Sequence, residues 1–183
     1  MILNTVWVIR LMVIKMKNKD IVSYIGNIDI LNEHKTAFLC SHRCPADIII
    51  QSYDWATKMR DENKCVISSF HTKIEQDVFN FLKKGSQPII KVPARGKYKH
   101  ISKEEQQMVD TGRLLFLFFF PDNVIYQTKE TCLKRNEYIA KIADEIHFAY
   151  TTPNGQLEKL KLSLLDSTNK VFCSNNLYNI GES

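Results

Sequence analysis

Nowhere in the 183 residues is there an apolar run long enough to cross a membrane. A spanning helix needs about 20 mostly apolar residues, and the most apolar stretch, Met1 to Met16, is interrupted by Arg10 and Lys15. No small-residue cleavage site follows it, so it does not read as a signal peptide. The plainer expectation is an extra apolar leader over residues 1–19, with Met12 or Met16 as the natural start. Cysteine is sparse and odd in number: Cys40, Cys44, Cys65, Cys132 and Cys173. Three of them lie in or beside apolar β-like runs, which points to buried thiols in a reducing cytosol. A cytoplasmic protein is therefore expected. Cys40-Ser41-His42-Arg43-Cys44 offers soft ligands, but one loop cannot complete a tetrahedral site and no second Cys/His pair stands at zinc spacing. No metal and no cofactor are expected.

Several motifs are also missing. No G-x-G-x-x-G follows a strand and no G-x-x-x-x-G-K-[ST] occurs, which disfavours a standard dinucleotide site or P-loop. Without a G-x-S-x-G elbow, an α/β-hydrolase is disfavoured too. No helix-turn-helix or zinc-finger pattern announces the reading of duplex DNA. Repeats and low-complexity tracts are absent.

What is present is an ordinary globular composition, 44% hydrophobic and 25% charged, with a net charge of +5. The positive balance favours anionic partners such as nucleotides or nucleic acid, although lysine-rich solvated faces give the same sign. One domain is expected, residues 20–175, followed by a polar tail over 176–183.

The hydrophobic pattern alternates between strand and helix. After a lead-in around Gly26-Asn27, Lys35–Leu39 reads as a strand. Asp47–Glu62 reads as a helix with Ile49, Tyr53, Ala56 and Met59 on one face. Cys65–Ser68 is the next strand, and Thr72-Lys73-Ile74-Glu75 is a capping box that opens a helix ending at Gly85. Pro88–Val92 is a strand, and Ser102-Lys103-Glu104-Glu105 opens a short helix stopped by Gly112. Leu114–Phe118 is an apolar run suited to a strand covered on both faces. A helix from Lys129 to Ala143, a strand over Glu145–Ala149, a helix over Gln156–Leu165 and a strand over Lys170–Cys173 complete the series. This succession specifies α/β architecture: a single Rossmann-like, three-layer domain with a mostly parallel, doubly wound sheet.

Parallel strands bring their carboxyl ends to one edge, where ligands of such sheets sit. The residues delivered there are Ser41, His42 and Arg43; Ser69, His71 and Thr72; Arg95, Lys97 and Lys99; and Thr151, Thr152, Asn154 and Gly155. Helix starts after Thr72 and Gly155 add backbone N–H groups and positive dipole ends, which suit a phosphate. Loops are polar everywhere, so this edge is a candidate and no more. Arg135 and Asn136 extend the inward stripe of their helix, where polar groups need a partner, either from the fold or from a ligand. Glu75 is placed for general-base or ribose contact, yet its position in the capping box explains it without a ligand.

With these residues in view, the chain resembles the Rossmann-like domain of the DprA/Smf DNA-processing family, over about Ile25 to Asn175. The resemblance is carried by Gly26-Asn27, Phe38-Leu39-Cys40-Ser41 with Cys44-Pro45, and Val66 to Thr72 with Glu75. Gln87-Pro88-Ile89-Ile90 with Ala94-Arg95, Gly112-Arg113-Leu114-Leu115, Arg135-Asn136 and Pro153-Asn154-Gly155 continue it. It implies binding of single-stranded DNA and help in loading a recombinase. A homodimer is left open, and no membrane partner is implied. The wider superfamily includes nucleotide sensors and LOG-type phosphoribohydrolases. Matching positions for ligand contact are Ser41, Arg43, Ser68, Ser69, His71, Thr72, Arg95, Arg135 and Asn136, and Gly155 joins them from the edge geometry. Two departures stand out: Ser69 and Asn154 occupy slots where relatives carry glycine. The second reduces the LOG signature to Pro153-Asn154-Gly155-Gln156-Leu157-Glu158.

Two classes of function follow. The first is a nucleotide- or single-stranded-DNA-binding protein of DNA processing, without catalysis. In it basic loops track phosphate, and Phe119, Phe120 or Tyr98 are candidates for base stacking, with core packing the simpler role for Phe119 and Phe120. The second is a LOG-like nucleoside-monophosphate phosphoribohydrolase with Glu75 or Glu158 as acid/base. A small-nucleotide sensor is a third reading.

Overall fold

The alternation of apolar strand and amphipathic helix resolves into one sheet with helices on both faces. The structure is a computed structural model that describes residues 20–166 and 171–173. The strands are β1 (Ser23–Gly26), β2 (Lys35–Cys40), β3 (Cys65–Ser68), β4 (Ile89–Lys91), β5 (Leu114–Phe118), β6 (Glu145–Tyr150) and β7 (Val171–Cys173). The helices are α1 (Ala46–Asp61), α2 (Lys73–Lys83), α3 (Lys103–Asp110), α4 (Lys129–Ile142) and α5 (Gln156–Leu165), and a 3-10 turn covers Ile28–Asn32. The expected leader, residues 1–19, and tail, 176–183, lie outside the described residues.

Sheet order is β1-β5-β4-β3-β2-β6-β7, and every pairing is parallel except β1 with β5. From β2 the chain winds outwards through β3, β4 and β5, then returns to β6 and β7 on the other side. The doubly wound expectation therefore holds, and the topological switch point lies between β2 and β6. The antiparallel edge strand β1 was not legible in the sequence: it reads there only as a lead-in. Gly26 ends it with φ +107°, and a Cβ there would lie 2.2 Å from the Leu114 carbonyl oxygen, so only glycine lets the two backbones approach.

β2, β3 and β5 are buried along their whole length, as strands covered on both faces must be. On one face Phe38, Val66, Ile89 and Phe116 meet Ile48, Ala56, Ile74, Val78, Leu82 and Met108 of α1, α2 and α3. On the other, Leu39, Ile67, Leu115, Leu117 and Phe148 meet Tyr138, Ile139 and Ala140 of α4. Each large apolar side chain so enclosed contributes roughly 1.5–3 kcal/mol.

The stripe of α1 differs from expectation. Ile48, Ser52 and Ala56 are its buried residues, one position round from Ile49 and Tyr53. Ser52 tolerates this because its hydroxyl donates to the Ile48 carbonyl at 2.7 Å, and the Tyr53 hydroxyl instead donates to Asp77 at 3.1 Å. At the amino edge the buried Lys35 ammonium donates to the carbonyls of Leu31 and Glu33 and to Asp144, at 3.2, 2.8 and 2.8 Å. It thereby ties the start of β2 to the start of β6.

Candidate anion-binding site at the carboxyl edge of the sheet

At the switch point the loops after β2 and β6 are tied together. The Ser41 N–H donates to the Tyr150 carbonyl and the Ser41 hydroxyl accepts the Thr152 N–H, both at 2.9 Å. Ser41 thus holds the two loops in register, and the exposed Arg43 is left on the surface beside it. Asn154 stands at φ 61°, a left-handed conformation that asparagine tolerates in place of glycine. The Glu158 carboxylate accepts its N–H at 2.6 Å, and Gly155 occupies the N-cap of α5.

The turn after β3 is organised from within. The Ser68 hydroxyl donates to the Phe38 carbonyl at 2.7 Å and is wholly buried. Glu75, 2% exposed, turns its carboxylate back over the turn. It accepts the Ser69 hydroxyl, the His71 N–H at 2.9 Å and the Thr72 N–H at 3.3 Å. The Thr72 hydroxyl in turn accepts the Glu75 N–H at 3.2 Å, which closes the capping box expected from the sequence. The positive φ that the glycine slot raised falls at Phe70 (φ 50°), one residue beyond Ser69. Such backbone costs about 1–2 kcal/mol in a bulky residue. Here the Phe70 ring is buried against Phe79, with centroids 4.7 Å apart.

One consequence bears directly on ligand binding. The N–H groups of His71 and Thr72, which open a helix and suit an anion, already face the chain's own carboxylate. Ser68, Ser69 and Thr72 all have partners inside the fold. Of this turn, His71 is the residue left exposed.

Across from it lies the buried cation of the site. Arg135 is 4% exposed in the second turn of α4. Its Nε and Nη2 donate to Asn136 Oδ1 at 3.2 and 3.0 Å, while Nη1 is buried with no hydrogen-bond partner. Arg95, after β4, likewise has a buried Nε without a partner, and its guanidinium lies 5.1 Å from the centroid of the Tyr98 ring. Among the described residues neither guanidinium forms an ion pair with a carboxylate. His71 is within electrostatic reach of Arg135: burial first, then the charges of Arg135 and His42, push its imidazole below its ordinary range, against the opposing pull of Glu75. Burial pushes the Tyr98 phenol up, and Arg95 and Arg135 oppose this. The edge therefore carries two guanidinium groups, Arg95 and Arg135, with the Glu75 and Glu105 carboxylates in electrostatic reach of it.

The three aromatic candidates for base stacking are occupied by the fold. Phe119 stacks on Tyr138 with centroids 4.6 Å apart, and Phe120 packs on Phe119 at 4.3 Å. Tyr98 meets Phe116 and Phe118 edge-on at 6.0 and 5.7 Å. A different aromatic, Tyr126, stands exposed in the loop before α4. Its signal in the sequence is slight: a tyrosine that ends the short run Val124-Ile125-Tyr126 in a loop. Among the described residues no group of three His, Cys, Asp or Glu side chains could hold a metal ion.

No protein-family model and no curated protein matches the chain. Solved structures do. DNA processing protein A (DprA) from Streptococcus pneumoniae superposes with a TM-score of 0.65 at 18% identity, over 82% of this chain and 53% of that one. DNA processing protein A from Helicobacter pylori, whose structure concerns a single-stranded DNA binding mode, gives 0.66 at 12% identity, over 82% and 69%. The chain thus spans about half the length of the pneumococcal protein. At these identities the likeness is one of fold: the architecture is DprA-like.

Proposed function

We propose that this DprA-like domain binds single-stranded nucleic acid or a nucleotide through phosphate, in DNA processing and without bond-breaking chemistry. The observation that carries the reading is Arg135, a guanidinium buried at the ligand edge with Nη1 unpartnered and, among the described residues, no ion pair to a carboxylate. Burying a charge without a counter-charge is costly, and the cost is recovered when an anion arrives. Arg95 supplies a second guanidinium, and Arg43, Lys97 and Lys99 extend positive charge around the edge. That the H. pylori protein of the same fold is described binding single-stranded DNA supports this choice of anion. A recombinase partner belongs to the same proposal, by family resemblance.

Against a hydrolase stand the two carboxylates that would have to act. Glu75 is enclosed by its own turn, and Glu158 is engaged with the Asn154 N–H. A general acid or base must reach the proton it moves.

The test is a fluorescence-anisotropy titration with a labelled oligothymidylate across a series of salt concentrations. Binding that weakens steeply with salt is expected, because phosphate contacts release counterions. Salt-insensitive binding, or none, would sink the proposal. Incubation with AMP is expected to release no adenine, and free base would establish the hydrolase instead.

A further inference from the structure

We infer that the loop between β5 and α4 is a base-stacking ledge, with Tyr126 the platform for an unpaired nucleobase of a single-stranded nucleic acid. This rests on the phosphate-binding reading above and extends it to a residue outside the phosphate site.

Tyr126 is 81% exposed and its neighbour Ile125 54% exposed, side by side after the half-buried Val124. A flexible tip would make such a pair unremarkable, but this loop is built to hold still. The Gly96 N–H donates to the Val124 carbonyl at 2.9 Å, and the Lys97 N–H to Asp122 Oδ1 at 3.1 Å. The Val124 N–H closes a turn on the Pro121 carbonyl at 2.9 Å. A Cβ on Gly96 would lie 2.4 Å from that Pro121 oxygen and 2.6 Å from the Asp122 Cα, so the two loops fit only because residue 96 is glycine. At its other end the loop runs into the Thr128 cap of α4, and Gln127 accepts the Cys132 thiol at 3.8 Å. Tyr126 lies between these two anchorages.

The stitched partner is the basic loop after β4. It holds Arg95 against Tyr98 and leaves Lys97 and Lys99 exposed. Cations for a phosphate backbone and an exposed ring for a base are therefore joined on one fixed ledge, and α4 continues from it to Arg135. Unpaired bases of any identity offer a π-face to such a ring, whereas bases inside a duplex are covered by their neighbours. The ligand class is single-stranded nucleic acid, read without sequence preference at this position.

The test compares wild type, Y126A and Y126F with labelled oligothymidylate over a salt series. Among the described residues no hydrogen bond holds the Tyr126 side chain, so neither substitution disturbs the fold. Y126A is expected to lose about tenfold in affinity while Y126F stays within about twofold, as stacking on one base requires. The salt slope is expected to match wild type in both, because no phosphate contact is removed. If wild type fails to bind the oligonucleotide, the phosphate-binding reading fails and the ledge with it. If wild type binds and Y126A binds equally well, the ledge alone is overturned. A shallower salt slope in Y126A would assign the residue to phosphate and also overturn it. So would unchanged affinity with an altered molar mass in light scattering, which marks a protein interface.

Discussion

Glu75 sits as an internal acceptor in the turn that opens its own helix: its carboxyl group accepts the hydroxyl of Ser69, and with it the N–H groups of His71 and Thr72. A turn that looks like a phosphate cradle in sequence is thereby filled by the chain itself. The proposed anion contact lies instead at Arg135, whose Nη1 is buried without a partner. Removing the carboxylate leaves the buried Ser69 hydroxyl and the Thr72 amide without an acceptor, and leaves the His71 amide with the Ser69 hydroxyl alone. Glu75→Ala is therefore expected to cost about 2–4 kcal/mol, the scale of charged hydrogen bonds plus a lost cap. Urea unfolding measures it, and a cost under about 0.5 kcal/mol, the level of a neutral surface change, would refute the organising role.

Arg135 offers the opposite balance. Methionine keeps the aliphatic bulk of the side chain and removes a buried charge that forms no ion pair among the described residues. Arg135→Met is expected to stabilise the free protein by about 1 kcal/mol or more. The same substitution is expected to weaken oligonucleotide binding at least about tenfold, the loss of one charge-assisted contact. Denaturation and anisotropy on one preparation check both. A variant that is destabilised and binds normally would make Arg135 a structural residue.

A histidine away from the site sets a pH dependence. His147 stacks on Trp55 with centroids 5.0 Å apart, and burial pushes its imidazole down to about 4. Above pH 6.5 the ring is neutral folded and unfolded, so stability is at its full value. As pH falls below 6.5 the unfolded chain takes up a proton that the folded chain does not, and stability declines until about pH 4, where the folded ring protonates too. The loss over that window is about 3 kcal/mol. His147→Phe is expected to flatten this part of the stability–pH curve in chemical denaturation. An unaltered slope in the variant would place the dependence elsewhere.

At the amino edge, Asp144 is the only side-chain carboxylate paired with Lys35 among the described residues. Burial pushes its carboxyl up, but hydrogen bonds from Lys35 and the charge of that ammonium outweigh this and hold it below its ordinary range. Asp144→Ala leaves the buried ammonium with carbonyls alone and is expected to cost about 2–3 kcal/mol. That is less than a fully buried pair, since Asp144 is partly exposed. Thermal melts of Asp144→Ala and of Lys35→Met check it. The second is expected to be the milder change, because it removes the charge together with its need for a partner.

Architecture was legible because it depends on period. Cys65–Ser68 reads as a strand and Leu114–Phe118 as one covered on both faces, and both are buried along their whole length. The Thr72 and Ser102 capping boxes fixed two helix starts, and both close as expected. β1 escaped because its pairing with β5 is a non-local choice that no local pattern encodes. The face of α1 slipped by one residue because Ser52, polar by type, satisfies its hydroxyl on its own helix and can be buried.

By itself, the sequence determined the alternation of strand and helix, and so the edge at which loops converge, because side-chain periodicity and caps act over a few residues. It also marked Arg135 as inward-facing. Tertiary structure decided which polar groups at that edge are free to meet a ligand. Hydrogen-bond partners distant in the chain give Ser68 to Phe38 and Ser41 to Thr152, while nearby ones fold Glu75 over its own turn and Arg135 keeps Nη1 without a partner. Burial made the same decision for the aromatics, enclosing Phe119 and Phe120 in packing and leaving Tyr126 in water. Partner and exposure are properties of the packed chain, and residue type alone does not contain them.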